Sequence, residues 1–251
     1  MKTSIIIPMY NETAIIESTL DALLSYLDGR FGEDYELLLV DDGSRDGTRD
    51  LAAALVAERA KLYPCGACAD GRVLVLGYAE NRGKGAAVRY GMLNARGEIR
   101  IFTDADLAYG CEVLGEVAAR FETVKGRRPD VVIGSRDIHK DGYRGYSRMR
   151  RFISRSYRAI LRGFFSLSVS DSQCGIKGFT HLAAERIFSQ AKTDRYAFDF
   201  EIITLAERAG LCIAELPVCV VCNRKGRIRL FRDSFRMLRD VLATRKRLRG
   251  K

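Results

Sequence analysis

The sequence predicts an α/β protein with a mostly parallel sheet and helices on both faces, on three observations. Short apolar runs alternate with helix-length stretches through the first half of the chain. Such a strand–helix rhythm belongs to parallel sheets covered on both sides, whose strands read as near-continuous apolar runs. Three of these runs end in polar segments, PMYNE, VDDGSRDGT and TDADLAYG, which then face one crevice. Ligands of open α/β sheets gather there, beyond the carboxyl ends of the strands.

The elements follow in order. Residues 3–9 (TSIIIPM) read as a buried strand and residues 12–28 carry helical spacing. Residues 35–41 (YELLLVD) form the second strand, and 46–61 a helix opened by Asp46 or Thr48 as cap. A third strand at 72–77 (RVLVLG) is followed by a helix at 84–96, and a fourth at 99–103 (IRIFT) ends on two carboxylates. The stretch 62–71, LYPCGACADG, reads as a surface insertion. After a strand at 130–134 (DVVIG) the pattern loosens into a basic helix at about 147–164 and the segment DSQCGIKGF. Helices at about 181–190 and 199–210, a strand at 212–221 and a basic helix from about 231 complete the reading.

With 251 residues, 47% of them hydrophobic, the chain has the material for a full core, and its composition argues against disorder. No run approaches the roughly 18–20 apolar residues of a membrane span, and the opening MKTSIIIPMYNE lacks a signal-peptide pattern. The expected location is the cytoplasm. Net charge is +10, but it is segregated: Asn223 to Lys251 holds twelve Lys/Arg against two Asp, and Lys140 to Arg162 eight against one. A neutral-to-acidic body therefore carries two basic attachments. The seven cysteines include the pairs Cys65–Cys68 and Cys219–Cys222, and the only histidines are His139 and His181. Without a histidine cluster, and with the second pair splitting across a strand, reduced thiols fit better than structural zinc.

NRGKGAAVRYG (81–91) fails two stricter phosphate-loop patterns: Gly85 stands where a P-loop needs Ser or Thr, and Val88 where a dinucleotide fingerprint needs glycine. What remains is a glycine-rich helix start that lets backbone approach an anion, with Arg82 and Lys84 supplying charge. Asp41 and Asp42 close a strand beside a tight turn at Gly43, where a carboxylate can accept from a base N–H or from ribose hydroxyls. Asp104 and Asp106 are like charges that repel unless something positive lies between them. Mg²⁺ and Mn²⁺ bind oxygen ligands, commonly one or two carboxylates completed by substrate phosphates and water. The pair therefore points to a divalent cation facing a diphosphate.

These residues resemble the inverting glycosyltransferases of family 2, of GT-A fold, and among them the polyprenyl-phosphate glycosyltransferases: the dolichyl-phosphate glucosyltransferase and dolichol-phosphate mannose synthase group. The resemblance is carried by IIIPMYNE, VDDGSRDGT, ENRGKGAAVRYGM, FTDADLAYG, IGSRD, DSQCGIKGF and RYAFDFEI, in that order along nearly the whole chain. RGKGAAVRYGML, DSQCGIKGF and RYAFDFEI lean to the glucosyl branch, and DADL to the mannosyl one. The resemblance implies a GT-A domain over 1–225, with a nucleotide-sugar half of about 1–110 and an acceptor half of about 111–225, followed by a basic amphipathic tail helix at 226–251. It implies that Pro8, Tyr10, Glu12, Asp41 and Asp42 line the nucleoside pocket, Asp42 reading the base, and that Lys84 approaches the diphosphate. Asp104 and Asp106 match the metal-binding pair, Asp106 the firmer ligand and Asp104 also donor-facing. Arg136 meets the acceptor phosphate, and Gln173 and Lys177 lie in the acceptor loop near the sugar. Ala108 replaces a polar metal-site residue common in mannose synthases, so a third ligand is water or another residue.

The reaction implied is transfer of a hexose from a nucleotide-sugar to a polyprenyl phosphate with Mg²⁺ or Mn²⁺. UDP-glucose is the expected donor, with GDP-mannose or a UDP-N-acetylhexosamine as alternatives. A phosphate monoester, with second pKa about 6, arrives already ionised, so such an enzyme must position two anions rather than deprotonate a hydroxyl. Arg148, Arg151, Arg155, Arg158 and Arg162 recur at spacings of 3, 4, 3 and 4 on one helix face, suited to the acceptor or a membrane. Phe231, Phe235, Leu238 and Leu242, at spacings of 4, 3 and 4 among arginines, have the pattern of a helix lying on an anionic membrane surface. Peripheral association with the inner face of the membrane is the expectation. A nucleic-acid partner, suggested by the basic balance alone, leaves the acidic strand ends unexplained.

Overall fold

The computed structural model describes residues 2–122, 128–143, 167–195, 197–221, 243–244 and 246–247. Seven strands form one sheet: β1 (Thr3–Met9), β2 (Tyr35–Asp42), β3 (Val73–Tyr78), β4 (Ile99–Phe102), β5 (Val131–Ser135), β6 (Lys177–Thr180) and β7 (Ile213–Pro217). The helices among the described residues are α1 (Ile16–Phe31), α2 (Thr48–Leu62), α3 (Lys84–Asn94), α4 (Glu112–Arg120), α5 (His181–Phe188) and α6 (Phe198–Arg208). Strand order is β3-β2-β1-β4-β6-β5-β7. β1, β2, β3 and β4 run parallel, as do β5 and β7, while β6 lies antiparallel to both β4 and β5.

Both faces are dry because successive side chains of a strand point to opposite sides. Ile5, Ile7, Leu37 and Leu39 pack with Leu20, Leu23 and Leu27 of α1 and with Leu114 and Val117 of α4. Ile6, Leu38 and Val40 pack on the other face with Val88 and Met92 of α3, Ile187 of α5 and Phe200 of α6. β1 and β2 are therefore buried almost throughout, as their uninterrupted apolar runs require.

Two elements escape the sequence reading. α4 is nine residues long with Gly115 in its middle, a poor helix former by itself. That glycine lets α1 approach, since a Cβ there would lie 2.5 Å from the Tyr26 hydroxyl oxygen. β6 (KGFT) has only four residues and begins with lysine and glycine, so it reads as loop. Gly178 leaves room for Val117 and Phe121 of the neighbouring layer, the latter just beyond α4. The expected basic helix at 147–164 and the apolar stripe from Phe231 to Leu242 lie outside the described residues.

Candidate active site

The ends of β1 and β2 are clasped together by side chains that the turn chemistry supplies. Asn11, at φ 55°, donates its backbone N–H to Ser44 Oγ (2.9 Å) and accepts from Arg45 N at its Oδ1 (2.9 Å). Glu12 N donates to Thr48 Oγ1 (2.7 Å), and Asp46 accepts from Thr13 and from the backbone and hydroxyl of Thr48. Partial burial pushes the Asp46 carboxyl up, but these donors outweigh it and hold it below the ordinary range. The cap of α2 is Gly47, in the left-handed region, rather than Asp46 or Thr48 as expected, and Asp46, one residue before the cap, accepts from the first helical N–H. Pro8 and Glu12 are half-buried in this rim, and Tyr10 is exposed.

Asp42 does not present a free carboxylate to a nucleobase. Its oxygens accept from the Tyr78 hydroxyl (2.6 Å), Asn81 Nδ2 (2.7 Å), Arg82 N (2.9 Å) and Gly83 N (2.9 Å). It shapes the loop from β3 into α3, and burial together with this carboxylate pushes the Tyr78 hydroxyl well up. These bonds hold Asp42 at the end of β2 where the sequence reading places the base, with its carboxylate engaged by donors of its own chain. The spare acceptor belongs to its neighbour. Asp41 Oδ2 accepts from Ser44 N (3.0 Å), whereas its Oδ1 is buried with no hydrogen-bond partner among the described residues. Such atoms are rare because an unmatched buried acceptor costs about 1–3 kcal/mol.

Next along the crevice, α3 starts at Lys84 behind Gly83, whose φ of 115° suits only glycine. Lys84 Nζ forms an ion pair with Asp104 Oδ1 and lies 6.0 and 5.9 Å from the ring centres of Phe102 and Phe198. In the ligand-free chain the charge facing the first carboxylate is therefore a lysine. Asp106 Oδ1 accepts from Ala108 N (3.2 Å), and Leu107 between them adopts φ 48°. A left-handed leucine costs roughly 1–3 kcal/mol, strain that concentrates at functional turns. Gly175 presses on Asp104 from the acceptor half; a Cβ there would stand 2.2 Å from Asp104 Oδ2.

No cluster of three or more His, Cys, Asp or Glu able to hold a metal occurs among the described residues. Asp104 and Asp106 are nonetheless hard oxygen donors beside each other on a crevice edge, each only half-buried. They fit a cation such as Mg²⁺ or Mn²⁺ that completes its shell with water and diphosphate oxygens, and they do not fit a metal needing a closed protein cage.

On the acceptor side Arg136, at the end of β5, forms a two-pronged pair with Asp171: Nε to Oδ2 2.6 Å and Nη2 to Oδ1 2.9 Å. Its guanidinium also lies 5.6 Å from the Tyr143 ring centre. Burial works against its charge, but Tyr109 and Asp171 more than restore it, and the group stays protonated. Gln173, half-buried, donates its backbone N–H to Asp171 Oδ1 (3.3 Å). Lys177 is misplaced by the sequence reading. It sits on β6, fully buried, with Nζ donating to Cys174 O (2.7 Å) and Asp199 Oδ1, and so has no exposed ammonium for an acceptor. Its position follows from the strand that was not foreseen. Arg148 and Arg151 lie outside the described residues. Asp171, Gly175 and Asp194 were not singled out beforehand. Asp171 and Gly175 do stand within DSQCGIKGF, but Asp194 lies in a plain polar loop whose importance is visible only in three dimensions.

The family model described as "Glycosyl transferase family 2" matches residues 4–188. The dolichyl-phosphate beta-glucosyltransferase of Saccharomyces cerevisiae is 32% identical over 252 residues, covering 96% of this chain and 73% of the relative. The Drosophila melanogaster protein of the same name is 35% identical over 225 residues, covering 87% of this chain and 66% of the relative. The fold matches glucosyl-3-phosphoglycerate synthase from Mycobacterium tuberculosis in complex with Mn²⁺, UDP-glucose and glycerol 3-phosphate. The TM-score is 0.66 at 23% identity, over 97% of this chain and 78% of that one.

Proposed function

The chain belongs to glycosyl transferase family 2, and on that premise we propose that it transfers glucose from UDP-glucose to a dolichyl or related polyprenyl phosphate, with inversion at the anomeric carbon. The observation that carries the reading is the line of complementary groups along one sheet edge. It runs from the unmatched Asp41 Oδ1 through the glycine-rich start of α3 with Lys84 to Asp104 and Asp106. That order matches a donor laid base first and diphosphate second: the carboxylates at the end of β2 stand at the base end, and helix-start amides with a lysine meet the diphosphate. The names of the relatives at 32% and 35% identity favour glucose and dolichyl phosphate over the alternatives.

Asp104 and Asp106 would hold Mg²⁺ or Mn²⁺, which when bound supplies charge neutralisation at the diphosphate leaving group. The chain's own work is positioning. Lys84 exchanges its Asp104 partner for diphosphate oxygen, and the acceptor phosphate, already an anion, needs orientation but no base. Arg136 offers the edge of its guanidinium that Asp171 does not use, Gln173 lies beside it, and the sequence offers Arg148 and Arg151 as further cations for the acceptor. An anionic membrane surface is the expected platform, since the acceptor is a lipid. Incubation with UDP-glucose, Mn²⁺ and a short polyprenyl phosphate is expected to yield a β-linked glucosyl lipid, with GDP-mannose and UDP-N-acetylglucosamine inert. Transfer from GDP-mannose alone, or from no donor at all, would overturn the assignment.

A further inference from the structure

The structure couples a residue far along the chain to the first turn of α3. Glu201, in the first turn of α6, is fully buried, and a buried carboxylate must be both hydrogen-bonded and paired. Its Oε2 accepts from Lys192 N (3.0 Å) and Thr193 N (2.7 Å), while its Oε1 pairs with Arg247 Nη2. The same Nη2 donates to Thr193 Oγ1 (3.0 Å), and Thr193 Oγ1 lies 3.0 Å from Oγ1 of Thr244, itself buried.

The 192–194 loop is the wall against which α3 begins. Asp194 O accepts from Ala86 N (3.1 Å), and its carboxylate pairs with Arg89 (2.5 Å) and Arg82 (3.8 Å). Contact is so close that a Cβ on Gly83 would lie 2.5 Å from Asp194 O, and one on Gly85 2.6 Å from Thr193 O. Lys84 stands between these two glycines.

We propose that Arg247 is a positioning residue for the donor site: through Glu201 it locks the 192–194 loop, and that loop sets the glycine turn presenting Lys84 and the α3 amides. This deepens the reading above and rests on it for the identity of the ligand. The experiment uses the full chain as wild type, Arg247→Ala, Arg247→Lys and Arg247→Gln. Deuterium exchange without nucleotide reads residues 83–86 and 192–194. Calorimetry reads UDP-glucose affinity with Mn²⁺, and steady-state kinetics read the acceptor KM. Arg247→Ala is expected to speed exchange in both segments and to weaken UDP-glucose by about fivefold or more, with acceptor KM unchanged and partial recovery in Arg247→Lys. Arg247→Gln, which keeps bulk and a donor but loses the charge, gives the same comparison should the alanine variant not fold. Faster exchange confined to 192–194, or unchanged donor affinity, would overturn the proposal. Wild-type protein that ignores UDP-glucose while exchange at 83–86 still follows residue 247 would instead refute the donor and leave the coupling standing.

Discussion

Asp41 and Asp42 are chemically identical neighbours given opposite work by their surroundings. Asp42 is saturated by four donors from the 78–83 loop, while Asp41 keeps one buried oxygen unmatched. Asp41→Ala is therefore expected to weaken UDP-glucose binding by about tenfold or more, since a lost charge-assisted hydrogen bond is worth about 1.5–3 kcal/mol. The melting temperature should change little, because the substitution removes an unmatched acceptor along with the Ser44 contact. Calorimetry and a thermal melt on the same variant check both halves, and unchanged donor affinity would return the base-reading role to another group. Asp106→Ala removes the oxygen ligand proposed for the cation at the crevice without touching the core. Transfer with Mn²⁺ should fall by about 10²–10³ while the circular dichroism spectrum stays that of wild type. Activity above roughly a tenth of wild type would contradict the metal assignment.

At the scale of elements, β6 decides most. This four-residue strand joins β4 to β5 by antiparallel pairing on both sides. It also carries Lys177 inward against Asp199 of α6, so that strand and helix share a buried ion pair. Removing one partner of such a pair leaves an uncompensated buried charge and costs about 3–5 kcal/mol. Lys177→Ala is thus expected to lower the melting temperature markedly while leaving the acceptor KM of the folded fraction unchanged. A stable variant with a raised acceptor KM would restore the acceptor role the sequence suggests for it. Motif spacing could not distinguish these outcomes, because lysine beside glycine reads as an open loop until the sheet is assembled around it.

For the molecule as a whole, the segregated charge is the property that bears on location. No helix among the described residues is long and apolar enough to cross a membrane. On the proposed reading, the basic stretches at 140–162 and 223–251 would be the chain's means of meeting an anionic surface. Each nearby Lys or Arg contributes about 1 kcal/mol, screened by salt. Co-sedimentation with vesicles rich in anionic lipid should therefore be strong at low salt, weak at high salt, and lost on deletion of residues 231–251. The deletion also removes Arg247, so loss of vesicle binding in Arg247→Ala would show that the domain contact, rather than the basic face, was responsible. Equal pelleting of the truncated chain would end the membrane reading.

The sequence by itself determined the strand–helix order of the first half, the three polar strand ends and the carboxylate pair at Asp104 and Asp106. These follow from apolar periodicity and local turn chemistry, which act over a few residues and are therefore legible in one dimension. Tertiary structure alone decided which of two adjacent aspartates is spare, that Lys84 faces Asp104, that Arg136 is gripped by Asp171, and that Lys177 is core. It also decided that Glu201 joins Arg247 to the loop behind α3. Each of these depends on which partners burial brings within hydrogen-bonding distance from distant parts of the chain. A carboxylate's or an ammonium's role is set by those partners rather than by its neighbours in sequence.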